Sequence, residues 1–230
     1  MKGWQKTSFI DYPDKIASVF FFGGCNFRCA FCHNPDLVLQ PKNLPEISDG
    51  EVLSYLEKKK HLYESVCISG GEPTLYPELE EVLVKIKSMG LLVKLDTNGT
   101  QPDKVAHWVD AKLIDYVAMD IKTGTAKYPL VFSSGSNPES VLSEIYKSIN
   151  YLKENHVAYE FRSTIYPPFF EKDDWPAIKQ LVNGASAYYL QPYNPKVTLA
   201  KEQNTLTFQE SDLIEMRNFF SDAVGKCEIR

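Results

Sequence analysis

The sequence predicts an α/β fold: a partial (β/α)6 parallel barrel forming a single domain over residues 1–230. Three observations predict it. Short β-rich runs alternate with longer stretches of helical periodicity along nearly the whole chain. The first two of those runs are almost continuously apolar, as strands covered on both faces are. No internal repeat, low-complexity tract or composition shift marks a linker. Six units are too few to close an eight-stranded barrel, so the sheet is expected to stay open.

The elements follow in order. "IASVFFF" (16–22) is the first strand candidate, and Ser48 with Glu51 reads as a capping box opening a helix that carries Val52, Leu53 and Leu56. "SVCIS" (65–69) is the second strand, followed by Leu79, Val82, Leu83 and Ile86 at helical spacing, with Gly90 as the stop. "LLVKLDT" (91–97) and "YVAMDIK" (116–122) come next. "FSSGSNPES" (132–140) is the most loop-like stretch and a candidate mobile flap; Val141, Ile145, Ile149 and Leu152 then mark a helix. "YEFRSTI" (159–165) and "AYYLQPY" (187–193) complete a core of about 16–195, and "NTLTFQESDLIEMRNFF" places an amphipathic helix in a C-terminal extension of about 196–230.

Strand, helix, strand in succession means right-handed crossovers and a parallel sheet. Ligands then bind beyond the carboxyl ends of the strands. The chemistry-bearing residues all fall at that rim: Cys25 to Cys32 after the first strand, Gly70, Gly71 and Glu72 after the second, Asp96, Thr97 and Asn98 at the third, Asp120 and Lys122 at the fourth, Arg162 and Gln191 late in the fifth and sixth.

Composition narrows the class. Hydrophobic residues at 43% and charged residues at 24% are ordinary globular values. The 25 basic and 30 acidic side chains give a net charge of −5, which argues against a nucleic-acid partner. The apolar runs are too short to span a bilayer, so a soluble cytoplasmic protein with no membrane partner is expected. Five cysteines, three of them within eight positions, make a poor disulfide framework and suit thiols free to hold metal in a reducing compartment. Cys67, inside a strand, is expected as a small buried apolar residue, and Cys227 has no evident partner. His61, His107 and His156 are isolated and receive no role.

Cys25, Cys29 and Cys32 have the spacing C-x3-C-x2-C. One reading is a zinc site completed by His33, although the adjacent Cys32 and His33 reach one ion only with strain and no second C-x2-C pair is present. The other is an iron-sulfur cluster, normally held by four thiolates, which with three leaves one iron open to a substrate.

"CNFRCAFC" resembles the signature of the radical S-adenosylmethionine (SAM) enzymes. That resemblance implies a 4Fe-4S cluster on Cys25, Cys29 and Cys32 whose open iron chelates SAM and whose electron cleaves it, yielding a 5'-deoxyadenosyl radical that abstracts hydrogen from a substrate. It implies Phe31 beside the adenine, and Gly70, Gly71 and Glu72 of "SGGEPTL" at the methionine amino group. "LDTNGT", "AMDIKTG" and the stretch "TSFIDYPDKIASVFFFGGCNFRCAFCHNPDL" are similar to the glycyl-radical-enzyme activases, particularly those of anaerobic ribonucleotide reductase and pyruvate formate-lyase. On that likeness Asp96, Thr97 and Asp120 are candidate ligands of a monovalent cation, with Asn98, Lys122, Arg162 and Gln191 as SAM contacts. The implied partners are a glycyl radical enzyme as substrate and a flavodoxin or ferredoxin as electron donor. Asp14 stands where glycine is usual, and Gly23-Gly24 where Gln-Gly is usual. Two alternatives stay open: a radical SAM enzyme acting on a small molecule, like 7-carboxy-7-deazaguanine synthase, and a non-enzymatic zinc or iron-sulfur module.

Overall fold

The structure is a computed structural model that describes residues 1–196, 198–199 and 207–230. All of its strands join one eight-stranded sheet in sequential order. β1 (Gly3–Ser8) pairs antiparallel with β2 (Ala17–Phe22), and every later pairing is parallel: β3 (Ser65–Gly70), β4 (Leu92–Thr97), β5 (Tyr116–Asp120), β6 (Ala158–Ile165), β7 (Tyr188–Pro192) and β8 (Cys227–Ile229). A short helix, α1 (Pro35–Leu39), follows the cysteine segment. Longer ones return the chain after each parallel strand from β2 to β7: α2 (Asp49–Lys59), α3 (Leu79–Ser88), α4 (Pro102–Asp110), α5 (Pro138–Lys153), α6 (Trp175–Val182) and α7 (Glu210–Phe220). These are six strand–helix units of an open barrel, as expected, with an added strand at each edge.

All six expected strands are present. β1 and β8 were missed because "GWQKTS" is mostly solvent-facing and "CEI" is three residues long, so neither carries an apolar period. The C-terminal extension therefore holds a strand as well as the expected helix, and the part of that stretch at 201–206 lies outside the described residues. The outward residues of the strands bury against the helices: Phe20 and Phe22, Val66 and Ile68, Val93 and Leu95, Val117 and Met119 meet Leu56, Leu83, Ile86, Val109, Ile145 and Ile149 in one core.

Two local expectations change. Ser48 does sit at the N-cap of α2, but its side chain makes no capping bond; Asp49, one residue on, accepts a hydrogen bond from the Tyr76 hydroxyl at 3.1 Å. The expected flap at 132–140 is a loop, yet its beginning is tied down: Phe132 bridges Phe27, and the Ser133 hydroxyl donates to the Asn26 carbonyl at 2.7 Å. Its end, from Pro138, is already the first turn of α5. Asp14 has φ 58°, a left-handed conformation that glycine adopts without penalty and aspartate tolerates.

Candidate active site

The carboxyl ends of β2 to β7 enclose a cavity of about 350 Å³. Its wall includes thirteen of the fourteen residues expected from the sequence: Cys25, Cys29, Phe31, Cys32, Gly70, Gly71, Asp96, Thr97, Asn98, Asp120, Lys122, Arg162 and Gln191. Glu72 is the exception.

The loop carrying the three cysteines is held by backbone contact. The Gly71 N–H donates to the Phe22 carbonyl at 2.9 Å and the Glu72 N–H to the Gly24 carbonyl at 2.8 Å, so the end of β3 grips the chain leaving β2. A Cβ on Gly71 would lie 2.1 Å from the Gly24 oxygen, and one on Gly70, at φ +124°, 2.3 Å from the Phe22 oxygen. The two glycines are thus required by close packing of backbone on backbone. Asn34 donates to the Gly70 carbonyl at 3.1 Å. Asn98 donates to Asn26 Oδ1 at 2.8 Å and points the same amide at Cys25 Sγ (3.9 Å), while Asn26 donates to the Thr100 hydroxyl at 2.8 Å. Asn26 and Thr100 were missed; their signal was a polar side chain on each of two loops that the strand order brings together.

Glu72 is 1% exposed and does not reach the cavity wall. Its carboxylate accepts from the Thr74 N–H and hydroxyl at 3.2 and 2.6 Å, the Thr97 hydroxyl at 2.8 Å and the Asn98 N–H at 2.7 Å. Burial pushes its pKa up, and those four donors pull against the shift. Through these bonds Glu72 joins the β3 and β4 loops.

All five cysteines are free thiols. Burial raises Cys25 to about 11 and Cys29 to about 12, the Glu72 charge adding to the first, so these sulfurs are neutral unless a positive centre binds them. His33 stacks on Tyr193 with 6.2 Å between centroids. Among the described residues no three His, Cys, Asp or Glu side chains converge on a single ion. Phe31 is 2% exposed and packs between Tyr166 and Phe169 at 5.3 and 5.6 Å. It is a core aromatic that also forms part of the wall.

The opposite wall is charged. Arg162 bridges two carboxylates, with Nε to Asp120 Oδ1 at 2.7 Å and Nη1 to Asp96 Oδ1 at 3.2 Å. Lys122 pairs with Asp120 Oδ2 at 2.8 Å, Ser69 donates to Asp96 Oδ2 at 2.9 Å, and Lys94 pairs with Asp96. Burial would raise Asp96 and Asp120; Arg162 and the lysines more than offset it and hold both carboxyls below the usual range. Lys94 was missed, although it stands two residues before Asp96 in a strand and so on the same face. Cys67 is fully buried as expected, but it faces the barrel interior, 3.8 Å from the Lys94 ammonium, rather than the apolar core. Asp11, Ser69 and Thr164 also line the cavity and carried no sequence signal.

The Radical SAM superfamily model matches residues 19–181. A protein of Methanocaldococcus jannaschii, provisionally named a glycyl-radical enzyme activating enzyme, is 33% identical over 100% of this chain and 95% of its own. Partial matches at 33% identity reach the pyruvate formate-lyase-activating enzyme of Clostridium pasteurianum (51% of this chain, 50% of that one) and the 7-carboxy-7-deazaguanine synthase of Methanopyrus kandleri (44% and 47%). Among solved structures, Streptococcus suis SuiB bound to its precursor peptide SuiA superposes with a TM-score of 0.68 at 15% identity, over 91% of this chain and 47% of SuiB. This chain thus spans about half of SuiB, and the likeness is one of fold. With a family model over most of its length and a full-length relative at 33% identity, the chain belongs to the radical SAM superfamily.

Proposed function

We propose that this protein holds a 4Fe-4S cluster on Cys25, Cys29 and Cys32, binds SAM beside it, and generates a glycyl radical on a partner enzyme. The observation that carries this reading is the shared wall: three free thiols on one loop face a ring of polar and charged side chains across one cavity. The donor set fits the group, being three sulfurs with no fourth protein thiol on the wall. When bound, the cluster supplies the electron that cleaves SAM, chemistry that protein side chains do not perform.

The chain's own groups orient and shield. Gly71, Asn98 and Asn26 fix the backbone that presents Cys25. Lys122 and Arg162 offer positive charge to an amino-acid carboxylate, and the wall of Phe31 offers an apolar face to adenine. A partner loop entering the cavity would exclude water from a reactive intermediate. The electron donor in this reading is a flavodoxin or ferredoxin.

The test is to incubate the reduced protein with SAM and candidate glycyl radical enzymes under anaerobic conditions and record electron paramagnetic resonance spectra. A glycyl-radical signal on a partner supports the reading. Turnover of a deazapurine precursor with no protein radical would favour the small-molecule alternative.

A further inference from the structure

The oxygens expected to ligate a monovalent cation are all engaged by the chain itself. Asp96 Oδ1 takes Lys94 and Arg162 Nη1, and Oδ2 accepts from the Ser69 hydroxyl. Asp120 gives Oδ1 to Arg162 Nε and Oδ2 to Lys122. The Thr97 hydroxyl donates to Glu72 and accepts from the Gly99 N–H at 3.1 Å. Two carboxylates therefore meet three fixed cations, and the remaining carboxylate on the wall, Asp11, is bonded to the Ser8 hydroxyl. The expected cation does not fit this arrangement, because each carboxylate oxygen of Asp96 and Asp120 already has a partner within the chain.

Lys94 is the distinctive element. It interrupts an apolar strand, is 2% exposed, and extends along the barrel interior to Asp96. Long ammonium side chains are rarely buried this fully without a charge partner. We propose that Lys94 is a tethered cation: its ammonium takes the electrostatic place of an alkali-metal ion beside Asp96, so that the site is assembled without potassium or sodium. A free cation would enter a low-dielectric wall where positive charges already outnumber the paired carboxylates, and would be repelled. Removing the ammonium would leave Asp96 short of one partner beside Ser69 and open a place that a small cation fills. The proposal concerns the ion requirement of the folded protein and is tested without SAM or turnover, so it stands or falls separately from the radical chemistry.

The experiment compares thermal unfolding midpoints of the anaerobically purified full chain and of Lys94→Met in potassium, sodium and choline chloride at equal ionic strength. The parent protein is expected to give the same midpoint in all three salts. Lys94→Met should melt lower in choline and recover by about 2–4 °C in potassium or sodium. A parent midpoint that rises with potassium or sodium, or a folded Lys94→Met that ignores the cation, would overturn the proposal. If Lys94→Met does not fold, crystals of the parent soaked in thallium(I) decide: no anomalous peak between Asp96 and Asp120 supports the tethered cation, and a peak there refutes it.

Discussion

The two walls of the cavity are built from different interactions. The cysteine wall, at the ends of β2 to β4, is held by backbone contacts through Gly70 and Gly71, by neutral amides and hydroxyls, and by one buried carboxylate that faces away from the cavity. The charged wall, at the ends of β4 to β6, is held in addition by a network of ion pairs. The difference teaches what each wall must hold. A loop meant to place three sulfurs needs its main chain fixed and its surroundings apolar, whereas a surface meant to receive a charged small molecule needs fixed charges already oriented. Steric substitutions should therefore damage the first wall and charge substitutions the second.

The largest expected effect is at Gly71. Gly71→Ala drives a Cβ into the Gly24 carbonyl, with no flexible side chain able to give way, and should cost roughly 4–5 kcal/mol, at the upper end for single substitutions. Denaturant unfolding of the metal-free protein measures it. A loss below about 1 kcal/mol would mean that the grip of β3 on the cysteine loop is dispensable.

Arg162→Met comes next. It leaves Asp96 and Asp120 buried with one shared partner fewer and should cost roughly 3–4 kcal/mol, as breaking a buried pair does. If the charged wall tolerates this change as well as it tolerates Arg162→Lys, Arg162 is not the bridge between the two carboxylates.

Glu72→Gln should cost about 2 kcal/mol, because whichever way the amide is turned its NH2 group meets a fixed backbone N–H donor, that of Thr74 or that of Asn98. Iron bound after anaerobic reconstitution should fall with stability, whereas a residue at the cofactor would change SAM affinity at full iron loading.

The smallest effect is one of sign. Asp120 is held below its ordinary value by Arg162 and Lys122, which offset burial; its contribution to stability is present above about pH 4 and is lost as pH falls through the lower folded value. Glu72, raised by burial, works the other way: the folded state gains relative stability as pH falls from the raised value toward 4.5. Urea unfolding between pH 6 and pH 3 should accordingly be less steep in pH for Asp120→Asn than for the parent and steeper for Glu72→Gln, by at most about 1.4 kcal/mol per pH unit for one proton. Slopes that move in the same direction in both variants would contradict the contrast between the walls.

The sequence showed one kind of feature and hid another. Strands β2 to β7 were legible because their apolar runs are bounded by turns and separated by helical periods, and the rim followed from parallel topology alone. Which way each polar rim residue faces was not legible. Glu72 and Asp96 both lie at strand ends, yet one is turned inward by Thr74, Thr97 and Asn98 while the other meets Arg162 from a strand two positions away. Lys94 was visible only as a charge inside an apolar strand, and its meaning required knowing that Asp96 shares its face. Likewise the glycines of "SGGEPTL" read as a loop open to ligand, but what requires them is the backbone at the end of β2 and of the cysteine loop just after it, about 2 Å from where a side chain would begin.

The account rests on three thiols that hold a cluster and leave one of its irons for SAM. Its most direct test is anaerobic reconstitution with iron and sulfide, reduction with dithionite, addition of SAM, and quantification of products. The account predicts iron and sulfide in equal amounts, methionine and 5'-deoxyadenosine formed together, and loss of both products in Cys29→Ala. Protein that binds zinc without sulfide, or that retains its cluster and still leaves SAM intact under strong reductant, would contradict it.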